Sequence, residues 1–313
     1  MTDQHDSGRR TLLRSSLGIG AGLSLPASLA VAAEPSLDGG DHPLNLSSPA
    51  EAFNAYVKLL GTLADDDVYV AFSGTLWGIE PERVPTAICG FSGLARHRWA
   101  GVEDGHERKA FDVGYFSDLE TGEPIDELTN PLTGEQVAPF HYKYGGGIER
   151  YTKDGKLSVS AEGVASNLTP YDFDWKRAGQ QIWLTDSGSG EFPPPLSKAE
   201  WPRESSGDAF RFMGETTMAT TVEQLANANV AQADYTLFWS SVLSWEPWLL
   251  MDGRPGFAMW RGVGAKLRRY EDAPATLLAF VRGAQPNYFD DADPWPGRVS
   301  NYDRYKRQRE AAS

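Results

Sequence analysis

The chain has 313 residues, 41% of them apolar and 23% charged, with a formal net charge of −14 at pH 7. This is the composition of a folded globular chain rather than a disordered one, and the length suffices for one large domain or two small ones. The acidic balance repels phosphate backbones and anionic head groups, which argues against nucleic acid or a membrane surface as partner. The single cysteine, Cys89, rules out an internal disulfide.

The N-terminus reads Gly8-Arg9-Arg10-Thr11-Leu12-Leu13-Arg14, followed by a charge-free run from Ser15 to Ala33. A basic segment, an apolar segment holding Leu17, Ile19, Leu23, Leu25 and Leu29, and a small-x-small site at Ala30-Val31-Ala32 make up an export signal. The paired arginines resemble the twin-arginine type. The run is short, rich in Gly, Ala and Ser, and broken by Pro26, so a retained anchor is disfavoured. Residues 1–33 are therefore read as a removable signal, which puts the mature chain in the periplasm with no stable membrane insertion.

Residues 34–47 read as a linker, and the domain proper as 48–300. Ser48-Pro49 opens a helix, since proline suits the first helical position. Phe53, Val57 and Leu60 then line one face, and Gly61 closes it. From Val68 the pattern changes to short β-like runs: Val68–Phe72, Thr86–Leu94, Phe111–Phe116 and Val137–Tyr144. Turns are marked by Glu120-Thr121-Gly122, Asn130-Pro131-Leu132-Thr133-Gly134 and Lys153-Asp154-Gly155. Residues 188–207, rich in Pro, Gly and Ser, read as an excursion or lid loop. A strand resumes at Phe210–Phe212, and Thr220 with Glu223 forms a capping box for a short helix. Strands follow at Tyr235–Leu243 and Gly256–Trp260. A last helix with Leu277, Leu278 and Val281 on one side ends at Gly283, and residues 301–313 are expected to be a loose, charged tail.

Many strands, few helices and no βαβ alternation predict an all-β domain. A single antiparallel barrel with an inner cavity is preferred to a sandwich, because closure removes unpaired edges. The segment Trp245-Glu246-Pro247-Trp248-Leu249-Leu250-Met251-Asp252-Gly253-Arg254-Pro255-Gly256 resembles the signature of a bacterial family, the domain of unknown function numbered 1838. A second block resembles it too: Gly114–Asp118, Thr121-Gly122-Glu123, Asn130–Glu135 and His141. At Asp252 the family pattern leads one to expect glycine. The resemblance implies a calycin-like barrel and little about activity.

Candidate site residues follow, each with a structural alternative. His141 can act as acid or base near neutral pH, or serve as a hydrogen-bonded structural histidine. Arg96 and Arg98 share a strand face and can hold a carboxylate or phenolate, or make surface ion pairs. Tyr115, Asn130 and Glu215 can supply a phenol, an amide and a carboxylate to an acid–base network. Trp245, Trp248, Met251, Met259 and Trp260 are either a pocket wall for a flat apolar molecule or plain core. Glu246, lodged between Trp245 and Pro247, either is buried with a raised pKa or stands exposed in a turn. No metal, nucleotide or nucleophile motif is found, so no cofactor is expected. These features predict a cofactor-independent lyase, isomerase or hydratase acting on an apolar or aromatic small molecule. A lipocalin-like carrier is the alternative. A third reading is an envelope interaction module, whose core would have no cavity. A homodimer is compatible with any of them.

Overall fold

The computed structural model describes residues 44–161, 164–165, 169–170, 173–290 and 300–311. The signal read at 1–33 and most of the linker lie outside the described residues. The elements run α1 (Pro49–Leu60), β1 (Asp66–Ile79), β2 (Thr86–Val102), β3 (Gly105–Ser117), β4 (Leu128–Thr129), β5 (Gln136–Val137), β6 (Lys143–Thr152), β7 (Lys156–Ala161), β8 (Val164–Ala165) and β9 (Thr169–Pro170). They continue with β10 (Trp175–Ala178), β11 (Gln181–Phe192), β12 (Phe210–Thr221), α2 (Val222–Ala226), β13 (Thr236–Leu243), β14 (Phe257–Leu267), α3 (Ala275–Ala284) and α4 (Asn301–Ala311). The protein is mostly antiparallel β-sheet with few helices, as the sequence predicts.

Twelve strands form one sheet in the order β10-β11-β12-β13-β14-β1-β2-β3-β6-β7-β8, with β9 also paired to β7, while β4 and β5 make a separate hairpin. No ladder joins the two ends among the described residues, so the closed barrel expected from the sequence is not found there. The sheet is nonetheless curled. One buried cluster takes Ile182 and Leu184 from β11 and Tyr151 and Leu157 from β6 and β7, far apart in strand order. Helix α1 lies across the gap: its Tyr56 ring meets Tyr151 at 5.4 Å and Phe173, just before β10, at 4.8 Å.

Helix α1 starts at Pro49 as expected and buries the face carrying Phe53, Val57 and Leu60. It stops at Gly61 because Trp99 fills the space where a side chain would stand; an added Cβ would lie 2.0 Å from Trp99 Cε2. The buried Lys266 ammonium then donates to the carbonyls of Lys58 and Gly61 at 2.9 and 2.8 Å, satisfying the exposed end of the helix. The short helix is capped by Thr221, one residue later than predicted, whose hydroxyl accepts from Gln224 N.

A second, smaller cluster lies on the outer face of β2 and β3. There Leu94, Phe111, Val113 and Tyr115 are covered by Leu277, Leu278 and Val281 of α3. The expected loose tail is instead helix α4. Tyr302 and Tyr305 fasten it by packing on Phe210 at 5.8 Å and Phe140 at 5.2 Å, and the Arg304 guanidinium stands 4.8 Å from the Phe140 ring centre. Among the described residues no helix is long and apolar enough to cross a membrane.

Candidate functional site

The residues that carry the most chemistry meet where the β13–β14 connection passes beneath α4. Trp239, Phe72, Phe91 and Trp260 project from β13, β1, β2 and β14 to the same side and pack ring against ring, with centroids 4.8 to 5.5 Å apart. Tyr142 joins them because the paired glycines Gly93 and Gly114 leave room for its ring; a Cβ at either would lie 2.0 Å from the phenol oxygen. That oxygen donates to Ser92 O at 2.7 Å. Phe116 packs on Trp248 at 4.7 Å and on Trp260 at 5.3 Å.

Among the described residues, Glu246 is the carboxylate that lines the small chamber at this wall. It precedes a single helical turn at Pro247–Leu249, which turns Trp248 inward. Its Oε1 accepts from Trp260 Nε1 at 3.2 Å, and no other hydrogen bond to it is found among the described residues. Burial among rings pushes its carboxyl up to about 7, with the indole hydrogen bond pulling the other way. Beside it is a cavity of about 20 Å³, walled by Phe116, Tyr142, Trp248 and Trp260 below and by Asn301, Tyr302 and Tyr305 of α4 above. That is room for one water and not for an aromatic ring. The Cys89 thiol is raised by burial and by the Glu246 charge, so it is no thiolate.

The two sequence blocks that carry the family likeness are joined here. Asn130, fully buried, donates from Nδ2 to Leu249 O at 2.9 Å, and its Oδ1 accepts from Leu132 N at 2.9 Å. Arg254 donates to Leu132 O at 3.1 Å, and Trp245 Nε1 to Arg254 O at 2.9 Å. Asp252, standing where glycine is expected, has φ +49°, a left-handed conformation that aspartate tolerates better than most side chains. Asn130, Trp245 and Met251 therefore shape the loop that carries Glu246.

The other predicted residues do not join the chamber, although His141 and Tyr115 meet on Phe280 of α3. His141 lies in the loop before β6, where its Nδ1 accepts from Phe116 N at 3.2 Å and its ring meets Phe280 of α3 at 5.1 Å. Burial holds its pKa below the ordinary imidazole value; Asp126 opposes this and Arg304 adds to it. Tyr115 also packs on Phe280, at 4.9 Å, so it shares the outer face with His141. Arg98 is six residues along β2 from Ser92, the partner of Tyr115, which is roughly 20 Å away. It is clamped with Arg96 onto Asp67, at 2.8 Å through Nε. Glu215 is exposed on the outer face of β12. Alternation on β14 sends Met259 to the face opposite Trp260.

A buried polar group has no counterpart in the sequence reading. Arg108 of β3 pairs with Glu149 of β6 at 2.6 Å, Tyr151 also donates to Glu149, and the guanidinium lies 5.7 Å from the Trp99 ring centre. His97 is fully buried nearby, its pKa driven down by burial and by the positive charges of Arg108 and Lys266. Alternating apolar residues do not announce such positions; only the register, which sets Arg108 opposite Glu149, brings them together.

A family model described as "Protein of unknown function (DUF1838)" matches residues 65–301. No curated protein matches the chain. Among solved structures, an N-terminal dehydratase from a difficidin assembly line is similar at 7% identity over 75% of this chain and 88% of that one, with a TM-score of 0.11. That likeness is too slight to carry an argument.

Proposed function

The chain belongs to the DUF1838 family, proteins of unknown function, and from its site we propose a cofactor-independent acid–base enzyme for a flat, apolar small molecule, with Glu246 as the proton carrier. The observation that carries this reading is a lone carboxylate set among aromatic rings with its pKa raised to about 7. A group that titrates near the working pH serves equally as acid and as base, and a carboxylate whose pKa is raised by burial in a cleft is a candidate proton carrier. The Trp260 hydrogen bond holds Oε1 and leaves Oε2 to exchange a proton with a ligand in the chamber. Trp248, Phe116 and Tyr142 supply flat walls, and the buried Trp248 Nε1–H, unpartnered among the described residues, offers a donor for a ligand oxygen. Isomerisation and retro-aldol cleavage need a proton taken at one atom and returned at another, and hydration needs in addition a water that adds to the substrate.

Entry requires α4 to move. An aromatic ligand needs a pocket of roughly 300 Å³, and with Tyr302 and Tyr305 seated the chamber is about 20 Å³. The sheet is on this reading a calycin-like barrel left open between β8 and β10, acting in the periplasm after removal of residues 1–33. The same small cavity favours a second reading, an interaction module whose rings are simply core.

The test is to incubate the protein at substoichiometric amounts with a host metabolite extract and follow it by mass spectrometry, beside E246Q. Loss of a compound in molar excess over protein, abolished by E246Q, supports the enzyme. Retention of a compound near one per chain without turnover refutes catalysis and leaves a carrier. Neither turnover nor retention refutes both and leaves the packed module.

A further inference from the structure

Outside the chamber, one surface of the sheet is built unlike the rest. The outer face of β2 and β3 is covered by α3, but no described element covers the outer face of β12, β13 and the middle of β14. Three of the six large apolar side chains exposed in the described chain stand there: Met213 at 60%, Phe238 at 49% and Val263 at 51%. The register arranges them in rows. Met213, Val242, Met259 and Trp77 form one, and Thr217, Phe238, Val263 and Ser73 another. Between them runs a polar row, Glu215, Ser240 and Arg261. Glu215 and Arg261 are both exposed and make no ion pair with each other or with any described residue.

We propose that this face is the interface of a homodimer whose two-fold axis runs along β13. A two-fold axis lying in the interface parallel to β13 exchanges β12 with β14 across it. Each Glu215 then faces the partner copy's Arg261, Phe238 stacks on its own symmetry mate, and Met213 meets the partner's Met259. One patch carrying an acid and a base at equal distances on either side of a central strand is self-complementary, as an isologous interface must be. A chain of net charge −14 needs such local pairing to approach its own copy. Three strands with their flanks, 8 to 12 residues long, present about 20 by 30 Å, or roughly 600 Å² per copy, which is at the lower bound of specific interfaces. Aligned packing of two twisted sheets suits a contact centred on one strand. This inference does not rest on the proposed activity.

The test is sedimentation velocity of the full chain across micromolar concentrations, with R261E and the double variant E215R/R261E. Both positions are solvent-facing, so folding is expected to survive, and circular dichroism checks that it does. A dimer is expected for the unaltered chain. R261E, which sets two acidic groups against each other twice per dimer, should weaken association at least about tenfold, and the exchanged pair in E215R/R261E should restore it. A monomer at every concentration would overturn the proposal. So would a dimer indifferent to R261E, or one that the double variant fails to recover.

Discussion

Replacing Glu246 by Gln tests the reasoning about the chamber without knowledge of a ligand. A carboxyl whose pKa rises from 4.5 to about 7 on folding holds its proton more tightly in the native state. Its stabilising effect is thus fully present below pH 4.5 and is lost as pH rises through 7. At about 1.4 kcal/mol per pH unit, the rise corresponds to about 3 kcal/mol. Partial solvent access to Glu246 screens some of this, leaving about 2 kcal/mol between pH 5 and pH 8. E246Q keeps the shape and cannot ionise. Urea unfolding of both proteins at several pH values should therefore show the variant gaining about 2 kcal/mol on the wild type from pH 5 to pH 8. Because both chains share every other titrating group, the difference isolates residue 246. A difference constant within about 0.5 kcal/mol would mean that the carboxylate is solvated and that the acid–base reading has no foundation.

Asn130→Ala removes the donor to Leu249 O and the acceptor for Leu132 N at a fully buried position, and should cost about 2–3 kcal/mol in urea unfolding. Glu149→Ala strands the buried Arg108 guanidinium and should cost about 3–5 kcal/mol, read as a lowered Tm by calorimetry. Gly114→Ala forces a methyl group against the Tyr142 ring. It should destabilise by about 1–3 kcal/mol, with a change in near-ultraviolet circular dichroism as the rings repack.

Short-range chemistry was readable without the structure. Pro49 begins α1, and Gly122, Gly134 and Gly155 adopt φ of +72°, +77° and +75° in the predicted turns, because such conformations depend on a few adjacent residues. Strand lengths were not readable. β1 and β2 run to 14 and 17 residues, since glycines and buried polar groups such as Gly93 and His97 interrupt the apolar alternation on the inward face. The shared face of Arg96 and Arg98 follows from alternation, whereas their partner Asp67 follows from the β1–β2 register. The charged C-terminus gave no sign of α4, because two tyrosines docking on distant rings hold it and not its own periodicity.

The sequence by itself thus determined the β class, the turns, the start of α1 and the two blocks of family likeness, all set by neighbours along the chain or by face alternation. Tertiary structure alone decided that the sheet curls, with no ladder closing it among the described residues, and that Asn130 ties one block to the other. It also decided that Glu246 rather than His141 occupies the aromatic chamber. These are contacts between different elements, up to 119 positions apart for Asn130 and Leu249, and their energy depends on ladder register and mutual burial, which no local pattern encodes.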